Sequence, residues 1–277
     1  MEQKLRNAVA AIRGHKIPEL PNEVLLLEKE IKSKFCSSAK VAEIIEMNTT
    51  LSGEVMRIAN SPIVKLRSPV SSIRDAVNAM GMDQIYNLVV SAALKNIFGS
   101  KGLFKDIMDN SVDVAFCMAD LAEWVEGVTR DEAYMLGLFH NSGALMLAAK
   151  SVSTYEPLFR SSMSLPLSIL QKEQQKFGSD HSMIGVLMAK KWCLPIDMLS
   201  AIMLHHNAAC SQIKNDRVRA MVAMIKIANA MVAEISLGAY RGEEMRLYEV
   251  DGIEELMIPS STINEIRTAL MSYSFKS

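Results

Sequence analysis

The stretch Leu136–Leu147, LGLFHNSGALML, decides how the chain is read. It is apolar on both sides of three polar residues, His140, Asn141 and Ser142. Tyr134, Met135, Leu136, Leu138 and Phe139 precede them, and Leu145, Met146 and Leu147 follow, which predicts a helix apolar nearly all round and therefore buried. A buried polar group left without a partner costs about 1–3 kcal/mol, so these three residues need partners. Ser142 has a local answer, a bond back to the Leu138 carbonyl. Asn141 has none, because its amide brings two donors and an acceptor. A hydrogen-bond network is the plain explanation. A metal site, or what is left of one, is the sharper one.

Working outward, helical periodicity dominates and no period-two alternation runs to strand length. The spacing predicts helices over Pro21–Phe35, Ser38–Met47, Thr50–Ala59 and Ile85–Phe98. Ser72 with Asp75 reads as a capping box that opens a helix closed by Gly81. Further helices are expected over Phe104–Val125, Thr129–Ala149, Pro166–Lys176, Asp180–Trp192, Ile196–His206 and Asp216–Ile235. Thr129 with Glu132 caps one of them, and Thr262 with Glu265 opens a last helix ending near Tyr273. NSPIVKLRSPVS reads as an irregular loop and GAYRGEEMRLYEVDG as a polar connector. FGSKGLF, with two glycines in a short turn, is the best internal boundary. The expected architecture is all-α, in two helical halves meeting near residue 100.

The chain has 277 residues, 49% apolar and 22% charged, with a net charge of −1, which suits a folded chain with a mixed surface. No block of like charge gives the footprint of a nucleic-acid binder. The apolar run Met221–Ile235 is broken by Lys226 and Asn229, so no membrane span is expected, and the N-terminus has no signal-like apolar run. Cys36, Cys117, Cys193 and Cys210 are scattered and form no CxxC, which argues against a zinc ribbon or a disulfide framework and fits a reducing cytosol. Cys117 and Cys193 read as core cysteines. P-loop, GxSxG and GxGxxG signatures are absent.

More polar residues share the inward habit of His140 and Asn141. His181 lies on the face of Ile184 and Met188, and His205 and His206 follow Ile202 and Met203 at the end of their helix. Two histidines satisfying end carbonyls would explain that pair as well as ligation does. Asn110 precedes Val114, Cys117 and Leu121 on one stripe, and Asn229 follows Val222 and Ile225 on another. One inward Asn is an ordinary core hydrogen bond. Three, with four inward histidines on five helices, argue for a shared purpose.

At these residues the sequence resembles the HD superfamily of metal-dependent phosphohydrolases, and more specifically its HDOD branch. LGLFHNSGALML stands where the family reads G-L-x-H-D-I-G; SDHSMIGVLMAKKWCLP matches the later H-x-x-x-G segment; AIMLHHN matches the paired histidines. IPELP, VAEIIEMNTTLSGEVMRIANSP and SSIRDAVNAMG resemble HDOD-type N-terminal stretches. The resemblance implies an HD-like helical bundle over residues 101–277, with a C-terminal extension, and an HDOD-type N-terminal subdomain over residues 1–100. The departures carry the chemistry. Asn141 and Asn229 stand where the family has metal-binding aspartates, and Asn110 where it has a histidine. An amide is neutral and a weak metal donor, so two negative charges and one imidazole are missing from a site meant for a dication.

The resemblance therefore implies a degenerate pocket of Asn110, His140, Asn141, His181, His205, His206 and Asn229, with no catalytic residue assigned. His140, His181, His205 and His206 are candidate ligands for a divalent transition metal such as zinc or nickel. The expected function is a non-enzymatic cytoplasmic signalling module of a bacterium that acts through protein–protein contacts, with NSPIVKLRSPVSS as a candidate contact loop. The alternative is a metal-dependent phosphohydrolase acting on a nucleotide or cyclic dinucleotide. A third reading is small-anion binding in the same pocket without turnover. Neither nucleic acid nor membrane is expected as a partner.

Overall fold

The computed structural model describes residues 2–99, 101–206, 209–237 and 242–274, and among them every regular element is helical. They form two compact units. One consists of residues 18–99 and the other of residues 2–17 together with 101–274. The first helix, α1 (Glu2–Ala11), thus groups with the later unit, whereas the sequence placed it in the N-terminal subdomain. The reason is local: α1 packs on the helix that carries His181, and Lys191 Nζ and Lys150 Nζ donate to the Ile17 and Arg13 carbonyls. The units divide between residues 99 and 101, and Ser100 between them lies outside the described residues.

The smaller unit contains α2 (Asn22–Ile31), α3 (Ser38–Glu46), α4 (Thr49–Ala59), α5 (Ile73–Met80) and α6 (Met82–Phe98). The side chains of Ser37, Asn48 and Ser72 cap α3, α4 and α5. Ile85, Leu88, Val89 and Leu94 make α6 the buried helix against which α2, α4 and α5 pack. The loop NSPIVKLRSPVS holds a short 3-10 turn, Pro62–Val64, and is closed by Asn60, whose amide bonds both N–H and C=O of Val70 at 2.8 and 2.9 Å.

The larger unit continues with α7 (Gly102–Leu121), α8 (Arg130–Phe139), α9 (Ser142–Lys150), α10 (Val152–Ser162), α11 (Ile169–Phe177), α12 (His181–Lys191) and α13 (Ile196–Leu204). It ends with α14 (Asp216–Leu237), α15 (Glu243–Leu256) and α16 (Ser260–Ser274). The core helix is α14: Met221, Val222, Met224, Ile225, Ala228 and Met231 are all buried, and α7, α13, α15 and α16 surround it. A helix whose middle is apolar on most faces buries itself among its neighbours.

Three expectations are corrected here. The helix expected over Thr129–Ala149 is two helices, α8 and α9, broken at His140–Asn141. GAYRGEEMRLYEVDG is not a connector throughout: residues 243–252 are helical, because Met245, Tyr248 and Gly252 recur on one face and pack on α14. Its residues 238–241 lie outside the described set. Cys193 is exposed rather than a core residue, and it turns the chain after α12 with a left-handed φ of 56°. Cys117 is buried as expected.

Candidate metal centre

The break in Leu136–Leu147 builds the site. α8 opens with the Thr129–Glu132 capping box and closes where His140 N–H bonds the Leu136 carbonyl at 2.9 Å. Asn141 then leaves helical geometry, at φ −99° and ψ 13°, and α9 starts in a new direction. Both glycines of the stretch mark close helix contacts. A Cβ on Gly137 would lie 2.5 Å from Ala115 Cα of α7, and one on Gly143 would lie 1.9 Å from the His181 carbonyl oxygen. These two approaches seat His140 beside α7 and press α9 against the first turn of α12. Because the helix breaks, Ser142 does not bond back to Leu138; its Oγ is buried without a hydrogen-bond partner among the described residues, as is Ser182 Oγ on α12.

Each histidine has Nδ1 fixed by a neighbour. His140 Nδ1 donates to the Gly137 carbonyl at 2.5 Å, His205 Nδ1 to the Ile202 carbonyl at 2.7 Å, and His206 Nδ1 to the Pro166 carbonyl at 2.6 Å. His181 Nδ1 faces the Glu173 carboxylate at 2.7 and 2.9 Å. These acceptors assign the Nδ1–H tautomer to all four rings, so every Nε2 carries a lone pair directed inward. His181 Nε2 lies 3.0 Å from His206 Nε2 and 3.3 Å from His205 Nε2, and the three ligand atoms fall within 4.8 Å of one another. His140 stands apart: its Nε2 lies 3.2 Å from Asn229 Oδ1. Asn141 Nδ2 donates to Asn110 Oδ1 at 3.4 Å.

Tyr248 on α15 braces the pair at the end of α13. Its hydroxyl donates to the His205 carbonyl at 2.6 Å, and its ring stacks on His206. Lys226, which interrupts the apolar run of α14, is fully buried; its Nζ meets Asp251 at 2.5 Å and lies 5.2 Å from the Tyr248 ring centre.

Electrostatics divides the rings. Burial pulls His140 down to about 4, against the Gly137 hydrogen bond. Burial, reinforced by neighbouring imidazoles, holds His205 and His206 well below the ordinary histidine value. Burial opposes charge on His181 too, but the Glu173 carboxylate outweighs it and raises that ring. Lone pairs 3.0–3.3 Å apart repel unless something positive lies between them. Two arrangements satisfy the cluster: a proton on His181 Nε2, donated to His206 and His205, or a metal ion held by the three nitrogens. At metal–nitrogen bonds of about 2.0–2.1 Å, ligand nitrogens sit about 3.0–3.4 Å apart, so the two distances from His181 suit a shared ion, while the set as a whole spans up to 4.8 Å and would have to draw together on it. The donor set fits one borderline transition metal on His181, His205 and His206. It does not fit two bridged ions, because among the described residues no Asp or Glu lines the adjoining cavity.

That cavity is bounded by Asn110, Asn141, His181, His206, Asn229 and Tyr248, among others, and measures about 30 Å³. On the same measure one water needs about 10–15 Å³, so it accommodates an ion and a water or two.

Of the seven pocket residues named from the sequence, the structure gathers three histidines at one point. The other four form two neighbouring pairs, His140–Asn229 and Asn141–Asn110. Glu173, Tyr155, Tyr248 and Lys226 were missed.

A family model for the HDOD domain matches residues 17–208. An uncharacterised protein of Treponema pallidum (strain Nichols) is 23% identical over 208 residues, which cover 72% of this chain and 39% of that protein. The chain thus spans well under half the length of this curated relative. A solved HDOD domain protein of unknown function from Geobacter sulfurreducens shares 24% identity at a TM-score of 0.69, with 97% of each chain covered. A structure from Shewanella amazonensis, provisionally named a phosphohydrolase, gives 18% identity at a TM-score of 0.69, again with 97% of each chain covered. At such identities the likeness is one of fold.

Proposed function

The chain belongs to the HDOD family, and from that premise we propose that it is a regulatory module without hydrolytic turnover that works through contacts with a protein partner. The observation that carries this reading is the missing carboxylate: among the described residues no Asp or Glu lines the cavity beside the histidine cluster. Asn141 and Asn229, which stand at the family's aspartate positions, spend their amides on Asn110 and His140. Hydrolysis in a two-metal centre needs anionic bridges to hold both ions and offset their charge. The size of the cavity points the same way, since about 30 Å³ admits a small anion or water but no nucleotide without rearrangement. A metal on His181, His205 and His206 would act there as a Lewis acid and as an anchor for such an anion. On this reading its first service is structural, tying α12 to the end of α13.

The test is a turnover screen of the whole chain supplied with Mn²⁺, Zn²⁺ or Ni²⁺, on a generic phosphomonoester, a phosphodiester and a cyclic dinucleotide. No rate above the metal-only control is expected. Turnover that disappears in His181→Ala and in His140→Ala would establish the phosphohydrolase reading instead.

A further inference from the structure

We propose that Glu173 is the anionic positioning residue of the three-histidine cluster and supplies, from outside the ligand ring, charge that Asn141 and Asn229 do not bring. The proposal rests on the reading of His181, His205 and His206 as a metal-holding set.

Glu173 is 0% exposed, and in its segment ILQKEQQKF only its spacing of four from Ile169 and Phe177 sets it apart from the solvated residues around it. Its carboxylate is fully engaged on one side. Oε2 accepts from His181 N–H at 2.8 Å and faces His181 Nδ1 at 2.7 Å, while Oε1 lies 2.9 Å from Nδ1 and accepts from Tyr155 Oη–H at 2.8 Å. Tyr155 is itself buried, so the carboxylate is held from α10 as well as by the start of α12. A second buried carboxylate, Asp180, caps α12 by accepting from Met183 N–H at 2.9 Å. Two buried acids therefore act on one imidazole, Glu173 by direct contact and Asp180 by its charge. The ion-pair partner that Glu173 has among the described residues is His181 itself. A buried anion without a cation is costly, and the positive charge that offsets it is carried either by His181 itself as an imidazolium or through the ring at Nε2, where His205 and His206 converge.

The geometry is that of a carboxylate–imidazole–metal line. A carboxylate behind a ligating histidine fixes the tautomer, fixes the ring's angle and makes the opposite nitrogen a better donor. Removing such a partner typically costs about 10–100-fold in metal affinity. Three neutral imidazoles with an anion behind one of them carry a net negative charge toward a dication, so the cluster need not rely on a carboxylate ligand.

The experiment is a Co²⁺ titration of the full chain, read by the ligand-field absorption of the bound ion and by competition with Zn²⁺. It is repeated for Glu173→Gln, Tyr155→Phe and His206→Ala. Glu173→Gln keeps the shape and an acceptor oxygen but removes the charge; it is expected to weaken Co²⁺ binding about 10–100-fold and to shift the absorption band. Tyr155→Phe leaves both oxygens on His181 and should weaken binding several-fold, with a smaller spectral shift. A Glu173→Gln chain that loses thermal stability yet binds Co²⁺ as the native chain does would overturn the proposal and leave the cluster standing. If Glu173→Gln does not fold, Tyr155→Phe decides: unchanged affinity and spectrum overturn the proposal. A native chain that binds no Co²⁺, or binds it equally after His206→Ala, would overturn the metal-holding reading and this proposal with it.

Discussion

At Asn229 a single atom decides what the residue satisfies. His140 commits Nδ1–H to the Gly137 carbonyl, so its Nε2 presents a lone pair toward Asn229, whose Oδ1 is placed 3.2 Å away. An amide can turn its nitrogen to that lone pair and close the contact as a hydrogen bond. A carboxylate cannot, and would set acceptor against acceptor unless a cation lay between. Asn229→Asp should therefore destabilise the metal-free chain by about 1–3 kcal/mol in urea denaturation. Millimolar Mn²⁺ should recover part of that loss in the variant and do nothing comparable for the native chain. Equal stability of the two chains in chelator would show that Asn229 does not serve His140. The same residue-level chemistry explains what could be read beforehand. Histidine and asparagine on apolar stripes violate the pattern of their own helices, so they are visible in the sequence. Glu173 offers only a weak signal. It falls four residues after Ile169 and four before Phe177, but on a helix whose other residues are mostly polar one inward acid looks like its neighbours.

Among the elements, two contacts set the cluster. The first is the α9–α12 crossing, where the backbone of Gly143 lies against the carbonyl of His181. Gly143→Ala would drive a methyl into a backbone oxygen that no rotamer change can move. A loss of about 1–3 kcal/mol is expected by urea denaturation, with weaker Co²⁺ binding because His181 moves with its helix. An alanine variant with native affinity would show that this crossing does not position the ring. The second is the clamp on α8. Glu132 completes the Thr129 capping box and also receives Arg217 of α14, which reaches Asp197 of α13 at 3.2 Å. Burial raises the Glu132 carboxyl, but the Thr129 hydrogen bond and the Arg217 charge outweigh it and hold it below its ordinary value of 4.5. A depressed acid stabilises the fold above its unfolded pKa, and that stabilisation drains away as pH falls through the folded one. Glu132→Gln should thus be less stable than the native chain by about 1 kcal/mol at pH 7, and the gap should shrink as pH falls below the ordinary value of 4.5 and on through the lowered folded one. A gap that persists undiminished in acid would assign the effect to packing instead. Helix existence was legible at this scale, while the break at His140–Asn141 was not. Apolar periodicity runs on through residues 134–147, and the kink is imposed by α7 and α12 meeting Gly137 and Gly143, which no local spacing records. α15 was hidden for the opposite reason: its charged residues and flanking glycines look like a connector, and only packing on α14 shows the face of Met245 and Tyr248.

For the molecule as a whole, what matters is that every cluster residue belongs to one of the two units. His181, His205, His206, Glu173 and Tyr155 all fall within 101–274, while residues 18–99 have their own buried helix, α6, and their own side-chain caps. The all-α class could be read from periodicity. The allegiance of α1 could not, because it is set by packing on α12, far along the chain. An ion that binds the native state and not the unfolded one stabilises it by about 2.7 kcal/mol at a hundred times its dissociation constant. That stabilisation reaches only the structure the ligands tie together. Hydrogen exchange followed with and without saturating Zn²⁺ should therefore show slower exchange in α11, α12 and the end of α13, joined through Glu173, His181 and His205. It should leave α2–α5 unchanged. The His206→Ala chain should lose the effect in α12 and α13. Protection spread equally over residues 18–99 would mean that the ion acts somewhere other than this cluster, and the regulatory reading would then have to start from a different site.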